Sequence, residues 1–227
     1  MVILFDVDNT LLDNDAVTAD LGAFLTRAGS AEKTREYFRL LEELRVEVGY
    51  ADYLGTLQRY RTQHPQDFPF FGASRFLVDY PFPERLYPGA RAAVAHANAI
   101  GRAAILSDGD AVFQPIKIGR AGLARLVGDR VHIYIHKEQE LADLERLLPA
   151  PHYVVVDDKR RLLAAIKAFW GARVTTVWVQ QGHYSTAPDV DSYAPADLAI
   201  PAIADFMGLS AEQLRDAANQ RVKPVPR

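Results

Sequence analysis

The sequence predicts an α/β fold: a doubly wound, mostly parallel sheet interrupted near its start by a helical insertion. Three observations carry that prediction. Val2-Ile3-Leu4-Phe5 is wholly apolar and runs straight into acids, the pattern of a strand buried on both faces of a parallel sheet. From Gly89 onward, short apolar runs alternate with helical segments, which implies βαβ units with helices on both sides. Between these regions, residues 14–80 carry helical periodicity with aromatic-rich connections.

Taken in order, the first strand ends at Asp6, because a buried strand rarely tolerates an acid. Leu21, Phe24, Leu25 and Ala28 share one helical face. Ser30 is placed to cap the next helix, with Glu32 in its first turn. Tyr37, Leu41, Leu44 and Val48 form its stripe, and Tyr53, Leu57 and Tyr60 mark a third helix over about 51–63. Pro65 and Pro69 predict a loop from His64 to Phe71, followed by a short helix over Arg75 to Tyr80. The tyrosines at 37, 50, 53 and 60 read as core of this insertion. Pro81, Pro83, Pro88 and Gly89 punctuate the return. Then follow a helix from Gly89 to Ile100, a strand from Arg102 to Ser107 and a helix over about 111–121. Val131 to Ile135 is the third strand, Glu138 to Leu148 a helix, and Tyr153 to Val156 the fourth strand. A helix over about 159–169, a strand from Val174 to Val179 and a short one at Leu198 to Ile200 complete the sheet. Ser210 and Gln213 fit a capping box for a last helix, and the tail after Arg221 is expected to fray.

The chain has 227 residues, 49% hydrophobic and 24% charged, the balance of an ordinary globular protein. A net charge of −3 gives no electrostatic footprint for nucleic acid or an anionic membrane. The absence of cysteine excludes disulfides, thiolate metal sites and a cysteine nucleophile. No run of about 18 apolar residues occurs, so no membrane span is expected. No basic and apolar signal segment precedes the first strand. The expectation is a cytoplasmic protein, monomer or homodimer.

Chemistry concentrates at the predicted carboxyl ends of the strands, where open α/β sheets form their crevice. Asp6 and Asp8 lie at spacing two, on one side of an extended chain, with Thr10 at the turn. Two such carboxylates suit a nucleophile and a divalent cation. Ser107 ends the second strand in Leu106-Ser107-Asp108-Gly109, and Lys137 follows the third. Asp157-Asp158 follows a wholly apolar strand, and two adjacent acids there are costly unless a cation meets them. In this order and spacing, these residues resemble the four motifs of the haloacid dehalogenase-like superfamily, beginning with its Asp-x-Asp-x-Thr.

The resemblance implies a Rossmann-like core of residues 1–13 and 81–227, with residues 14–80 as an α-helical cap. It implies a Mg²⁺-dependent phosphatase acting on a small phosphorylated metabolite. Asp6 would be the nucleophile and Asp8 the acid and base. Asp6, the Asp8 carbonyl, Asp158 and Asp157 would hold the metal. Thr10, counted with the phosphate-binding residues, would orient Asp8 or its loop. Ser107, the amides of Asp108 and Gly109, and Lys137 would hold phosphoryl oxygens. Asp108 stands where the family often has Asn, and its carboxylate is expected to point away. Haloacid dehalogenase, phosphonatase, phosphomutase and a non-catalytic binding domain remain as alternatives. The first needs no acid at Asp8; the second needs a cap lysine, and only Lys33 is present between residues 14 and 80. Lys117 also lies between Ser107 and Asp157. A helix starting near Asp110 would carry it two turns from the strand end and aim it away from the crevice. The six histidines share no metal-ligand spacing, and Arg61, Arg75 or His64 are candidates to face the substrate.

Overall fold

The computed structural model describes residues 1–220; residues 221–227, with the tail expected to fray, lie outside the described residues. Six strands form one sheet: β1 (Val2–Phe5), β2 (Arg102–Asp108), β3 (Val131–Tyr134), β4 (Tyr153–Asp157), β5 (Val174–Val179) and β6 (Leu198–Ile200). Their order is β3-β2-β1-β4-β5-β6, and every pairing is parallel. The chain leaves β1 toward β2 and β3, then returns to its other side at β4. This reversal beside β1 opens a crevice at the carboxyl ends of the strands.

Strand alternation supplies both faces of the sheet with apolar groups. Ile3, Phe5, Ala103, Ile105, Val154 and Val156 enter one core, and Val2, Leu4, Ala104, Leu106 and Val155 enter the other. Helices α5 (Ala90–Ile100), α6 (Phe113–Arg120) and α7 (Leu123–Leu126) cover the first face, with Val94, Ile118 and Leu123 in its core. Helices α8 (Leu141–Leu147) and α9 (Arg160–Trp170) cover the second through Leu141, Leu163 and Ile166. Helix α10 (Ala211–Gln220) closes the described chain, and Ser210 and Gln213 form the expected reciprocal cap at its start.

Residues 14–80 contribute nothing to the sheet. They form α1 (Asn14–Ala28), α2 (Ala31–Val48), α3 (Tyr53–Gln63) and α4 (Phe68–Val78), which pack on one another. Side chains of Asp13, Ser30 and Asp52 accept from Ala16, Lys33 and Gly55 amides and so start the first three helices. Gly49 stops α2 in the left-handed conformation that a side chain resists. The Tyr37 hydroxyl donates to the Tyr53 carbonyl at 2.8 Å, and the Tyr60 ring stacks on Phe70 at 4.3 Å. Entry and exit of the insertion lie side by side: Asp13 N donates to Arg85 O, and Tyr87 N to Leu11 O.

Several strands end one residue from the expected position, and three helices depart further from the expectation. α4 begins at Phe68, because Pro69 falls in the first helical turn, where its missing N–H costs nothing. α6 begins at Phe113 and not at 111, because the Asp110 carboxylate accepts from the amides of Val112 and Phe113 and holds a turn ahead of the helix. The helix expected from Glu138 to Leu148 is divided into a 3₁₀ turn, Lys137–Gln139, and α8. Among the described residues, no helix is long and apolar enough to cross a membrane.

Candidate active site

The sheet brings Asp6, Ser107, Lys137, Asp157 and Asp158 to one edge. Asp6 follows β1, and its amide donates to Val156 O of β4, which sets the two acidic strand ends beside each other. Asp6 is 4% exposed, and Asp157 and Asp158 are fully buried. One carboxylate oxygen from each lies within 4.8 Å of the others.

Lys137 reaches into this cluster. Its Nζ is 2.7 Å from Asp6 Oδ1, 2.6 Å from Asp157 Oδ2 and 3.3 Å from the Leu106 carbonyl. The burial of this ammonium acts to lower its pKa, but the charges of Asp157, Asp6 and Asp108 hold it well above the ordinary lysine value. Three buried acids thus crowd one ammonium, Asp6 and Asp157 in hydrogen-bond reach of it, with Lys159 acting on them as a second cation. Burial, reinforced by the charges of Asp157 and Asp8, pushes Asp6 up to about 7 against the opposing pull of Lys137 and Lys159. Burial likewise raises Asp158 well above the usual carboxylate range, with Asp157 and Asp6 adding to it. Asp6 Oδ2 and both oxygens of Asp158 have no hydrogen-bond donor among the described residues. Buried carboxylate oxygens left in this way fit a cation, and an all-oxygen set suits Mg²⁺.

The loop after β1 is fixed from several sides. Asn9 takes the left-handed conformation, φ 60°, that asparagine tolerates, and its Oδ1 accepts from the amides of Asn14 and Asp15. Gly182 approaches so closely that a Cβ there would lie 2.5 Å from that of Asn9. Thr10 is buried, and its hydroxyl accepts from the Asp158 amide at 3.1 Å. It therefore ties the β1 loop to the β4 loop, the loop-orienting role expected of it.

Ser107 is buried at the end of β2 and accepts from Gln114 Nε2 at 2.9 Å. The Gly109 amide, expected to face an anion, instead donates to Tyr134 O across to β3. The Asp108 carboxylate turns to the Lys137 amide, which donates to it at 2.8 Å; it anchors the loop that delivers Lys137.

Lys117 overturns its expected orientation. Its side chain is 1% exposed and points into the crevice, with Nζ 2.8 and 2.9 Å from the two oxygens of Asp8 and 3.0 Å from Asn14 Oδ1. The late start of α6 is the physical reason. Lys117 lies about one turn into the helix and not two, so its long stem reaches the strand end. Gln114, one turn earlier on the same face, donates to Asp8 Oδ2 at 3.3 Å. The spacing of Gln114 and Lys117 is a signal the sequence does carry, once the helix start is fixed.

Above the edge lies a cavity of about 1010 Å³. Asp8, Asp108, Lys117 and Lys159 line its floor, and Phe38, Leu41, Tyr50 and Tyr53 line the side formed by the inserted helices. Residues 183–193 close a third side with Tyr184 and Tyr193. Burial opposes the charge on Lys159, but Asp158, Asp6 and Asp157 hold its pKa above the ordinary value; its Nζ sits 4.8 Å from the Tyr184 ring centre. Arg61, Arg75 and His64 are not part of the lining; Arg75 pairs with Asp79 and His64 with Glu36. Lys33 pairs with Asp67 at 2.7 Å, away from the cavity. Arg45 of α2 does line it and meets the Tyr184 hydroxyl.

A sequence profile of the haloacid dehalogenase-like hydrolases matches residues 1–178. No protein of curated function matches the chain. A crystal structure from Burkholderia xenovorans LB400, assigned to the haloacid dehalogenase-like hydrolases, is 53% identical, with a TM-score of 0.90. The match covers 94% of this chain and 97% of that one. The fold also matches an L-2-haloacid dehalogenase from Xanthobacter autotrophicus with chloropropionic acid covalently bound, at 19% identity and a TM-score of 0.59, covering 92% and 97% of the two chains. The HAD-hydrolase YfnB from Bacillus subtilis, bound to magnesium, matches at 15% identity and a TM-score of 0.62, covering 91% and 96%. The profile match and the 53% identical relative place this chain among the haloacid dehalogenase-like hydrolases.

Proposed function

We propose that this hydrolase is a Mg²⁺-dependent phosphatase that cleaves a small phosphomonoester through an aspartyl-phosphate on Asp6. The observation that carries the reading is the division of labour among the acids. Asp6, Asp157 and Asp158 form a buried cluster with oxygens that lack donors. Asp8 stands apart from them, with its side chain 26% exposed at the cavity floor. Displacing halide from carbon by a carboxylate needs neither a proton donor for the leaving group nor a bound cation. Displacing an alkoxide from a phosphate dianion benefits from both.

Asp6, Asp157 and Asp158, with the Asp8 carbonyl, would hold Mg²⁺. When bound, it supplies positive charge that offsets the repulsion between Asp6 and the phosphate. Asp6 attacks phosphorus, and the ester P–O bond breaks. Asp8 gives a proton to the departing oxygen. It then takes one from the water that attacks phosphorus and frees Asp6, so ester and water become alcohol and inorganic phosphate. Ser107 and Lys137 bind equatorial oxygens of the transferred group. Residues 14–80 act as a cap over the cavity, excluding bulk water during turnover. The substrate is a small phosphorylated metabolite met in the cytoplasm, with its organic part against the aromatic side of the cavity. Lys33, held by Asp67, is not placed for the Schiff base of a phosphonatase.

Turnover of para-nitrophenyl phosphate with Mg²⁺ and with chelator, beside halide release from 2-haloacids, tests the reading. Phosphate release that needs Mg²⁺ and disappears in Asp6→Asn supports it. Metal-independent halide release without phosphate release overturns it.

A further inference from the structure

Lys117 is a costly residue for its place. Its ammonium is withdrawn from water, and an apolar side chain of similar length would fill the space without that cost. Its partners are few and all sit at the active edge: both oxygens of Asp8 and the Asn14 side-chain carbonyl oxygen. Its Nζ also lies 5.2 Å from the Phe113 ring centre, a contact that steadies the stem. Asp8 is more open, and its other neighbour is Gln114, which shares its Nε2 with Ser107.

Asn14 extends the contact to the inserted helices. It is the first residue of α1, and its Nδ2 donates to the Tyr53 hydroxyl at 3.3 Å. That hydroxyl also lies 2.9 Å from Thr18 Oγ1. A continuous chain of contacts thus runs from Asp8 through Lys117 and Asn14 to Tyr53, on the α3 side of the cavity.

We propose that Lys117 is a positioning residue for the Asp8 carboxylate, and that Asn14 makes this positioning depend on the placement of the inserted helices. Resting on the phosphatase reading, it gives Lys117 no contact with the transferred phosphate. Lys117 fixes where the Asp8 oxygens stand relative to the leaving group. Losing it therefore harms the step that needs a proton delivered and leaves substrate affinity alone.

The test compares two esters that differ in that need. Para-nitrophenolate leaves without protonation, whereas the alkoxide of phenethyl phosphate must be protonated. With Mg²⁺, in single turnovers read at release of the alcohol, before water attacks the aspartyl-phosphate common to both esters, Lys117→Met should slow release from phenethyl phosphate by about 10²-fold, the low end of a general-acid contribution. Release of para-nitrophenolate should slow several-fold less, and KM should stay unchanged for both. Asn14→Ala leaves Lys117 and Asp8 in place. It should give the same leaving-group pattern at smaller amplitude, which keeps the proposal testable if Lys117→Met does not fold. Equal losses on both esters, or a rise in KM without slower release, would show a general structural or binding role and overturn the positioning role alone. A wild-type protein that hydrolyses neither ester overturns the phosphatase reading, and this proposal with it.

Discussion

Replacing Lys137 with methionine should be the most destabilising single change at the active edge. Methionine keeps the volume of the stem, so no cavity contribution arises. What disappears is the ammonium between Asp6 at 2.7 Å and Asp157 at 2.6 Å, in a place where lysine is 1% exposed and the acids 4% and 0%. Breaking a buried pair by removing one partner costs about 3–5 kcal/mol, and here two carboxylates lose their partner. For a chain of this length that corresponds to a fall in Tm of roughly 6–20 °C. The sign of the pH dependence follows from the acids left behind. Lys137 opposes the rise that burial imposes on Asp6, so without it Asp6 rises further, and the penalty is greatest where the unfolded chain ionises that carboxyl. The deficit therefore narrows as the pH is lowered from 8 toward 5. Added Mg²⁺ should raise Tm more in the variant than in the wild type, since the acids it meets have lost their counter-charge. Circular dichroism melts at several pH values, with and without MgCl₂, read all of this. A Tm within about 2 °C of wild type at pH 8 would refute the electrostatic account of the cluster.

Asp8→Asn preserves the shape of the side chain while removing its proton transfer, so phosphate-ester turnover should fall by about 10²–10⁴-fold, measured as kcat with Mg²⁺. Asp67 has a lowered pKa: burial opposes its charge, but bonds from Lys33 and Tyr60 prevail. Its stabilising contribution is thus complete above the ordinary carboxylate range and is lost as pH falls through the lowered value. Asp67→Asn should cost about 1–2 kcal/mol near neutrality, discounted for the exposure of Lys33. That cost should vanish in strong acid, as urea melts across pH would show.

The sheet was legible because its central strands are buried on both faces. Val2–Phe5 and Tyr153–Val156 are apolar without interruption, and the acids after each mark where burial ends. The helices of the insertion were legible from caps such as Ser30 and from the stripe through Tyr37 and Leu41. Lys137 was found at the edge because a residue just past a strand inherits that strand's position. Lys117 was misplaced because its direction depends on where α6 starts. That start is set by a local contest between the Asp110 carboxylate and the helix for the amides of Val112 and Phe113. The partner of Thr10, the Asp158 amide, was not legible because it lies far along the chain and pattern cannot show that pairing. The cavity lining at Arg45, His183 and Tyr184 was equally hidden. Arg45 meets Tyr184 only where α2 approaches the loop after β5, and His183 of that loop meets Asp15 of α1; neither contact carries a motif.

The central claim, that Asp6 carries a phosphoryl group and is freed by attack at phosphorus, is tested most directly by isotope. A single turnover of a phosphate ester is run in oxygen-18 water with enzyme in excess. The phosphate and the peptide containing Asp6 are then weighed by mass spectrometry. If water attacks phosphorus, the label enters inorganic phosphate and the Asp6 peptide keeps its normal mass. Label in the Asp6 carboxylate would mean that water attacks the acyl carbon, as it must when the intermediate is an alkyl ester, and would contradict the account.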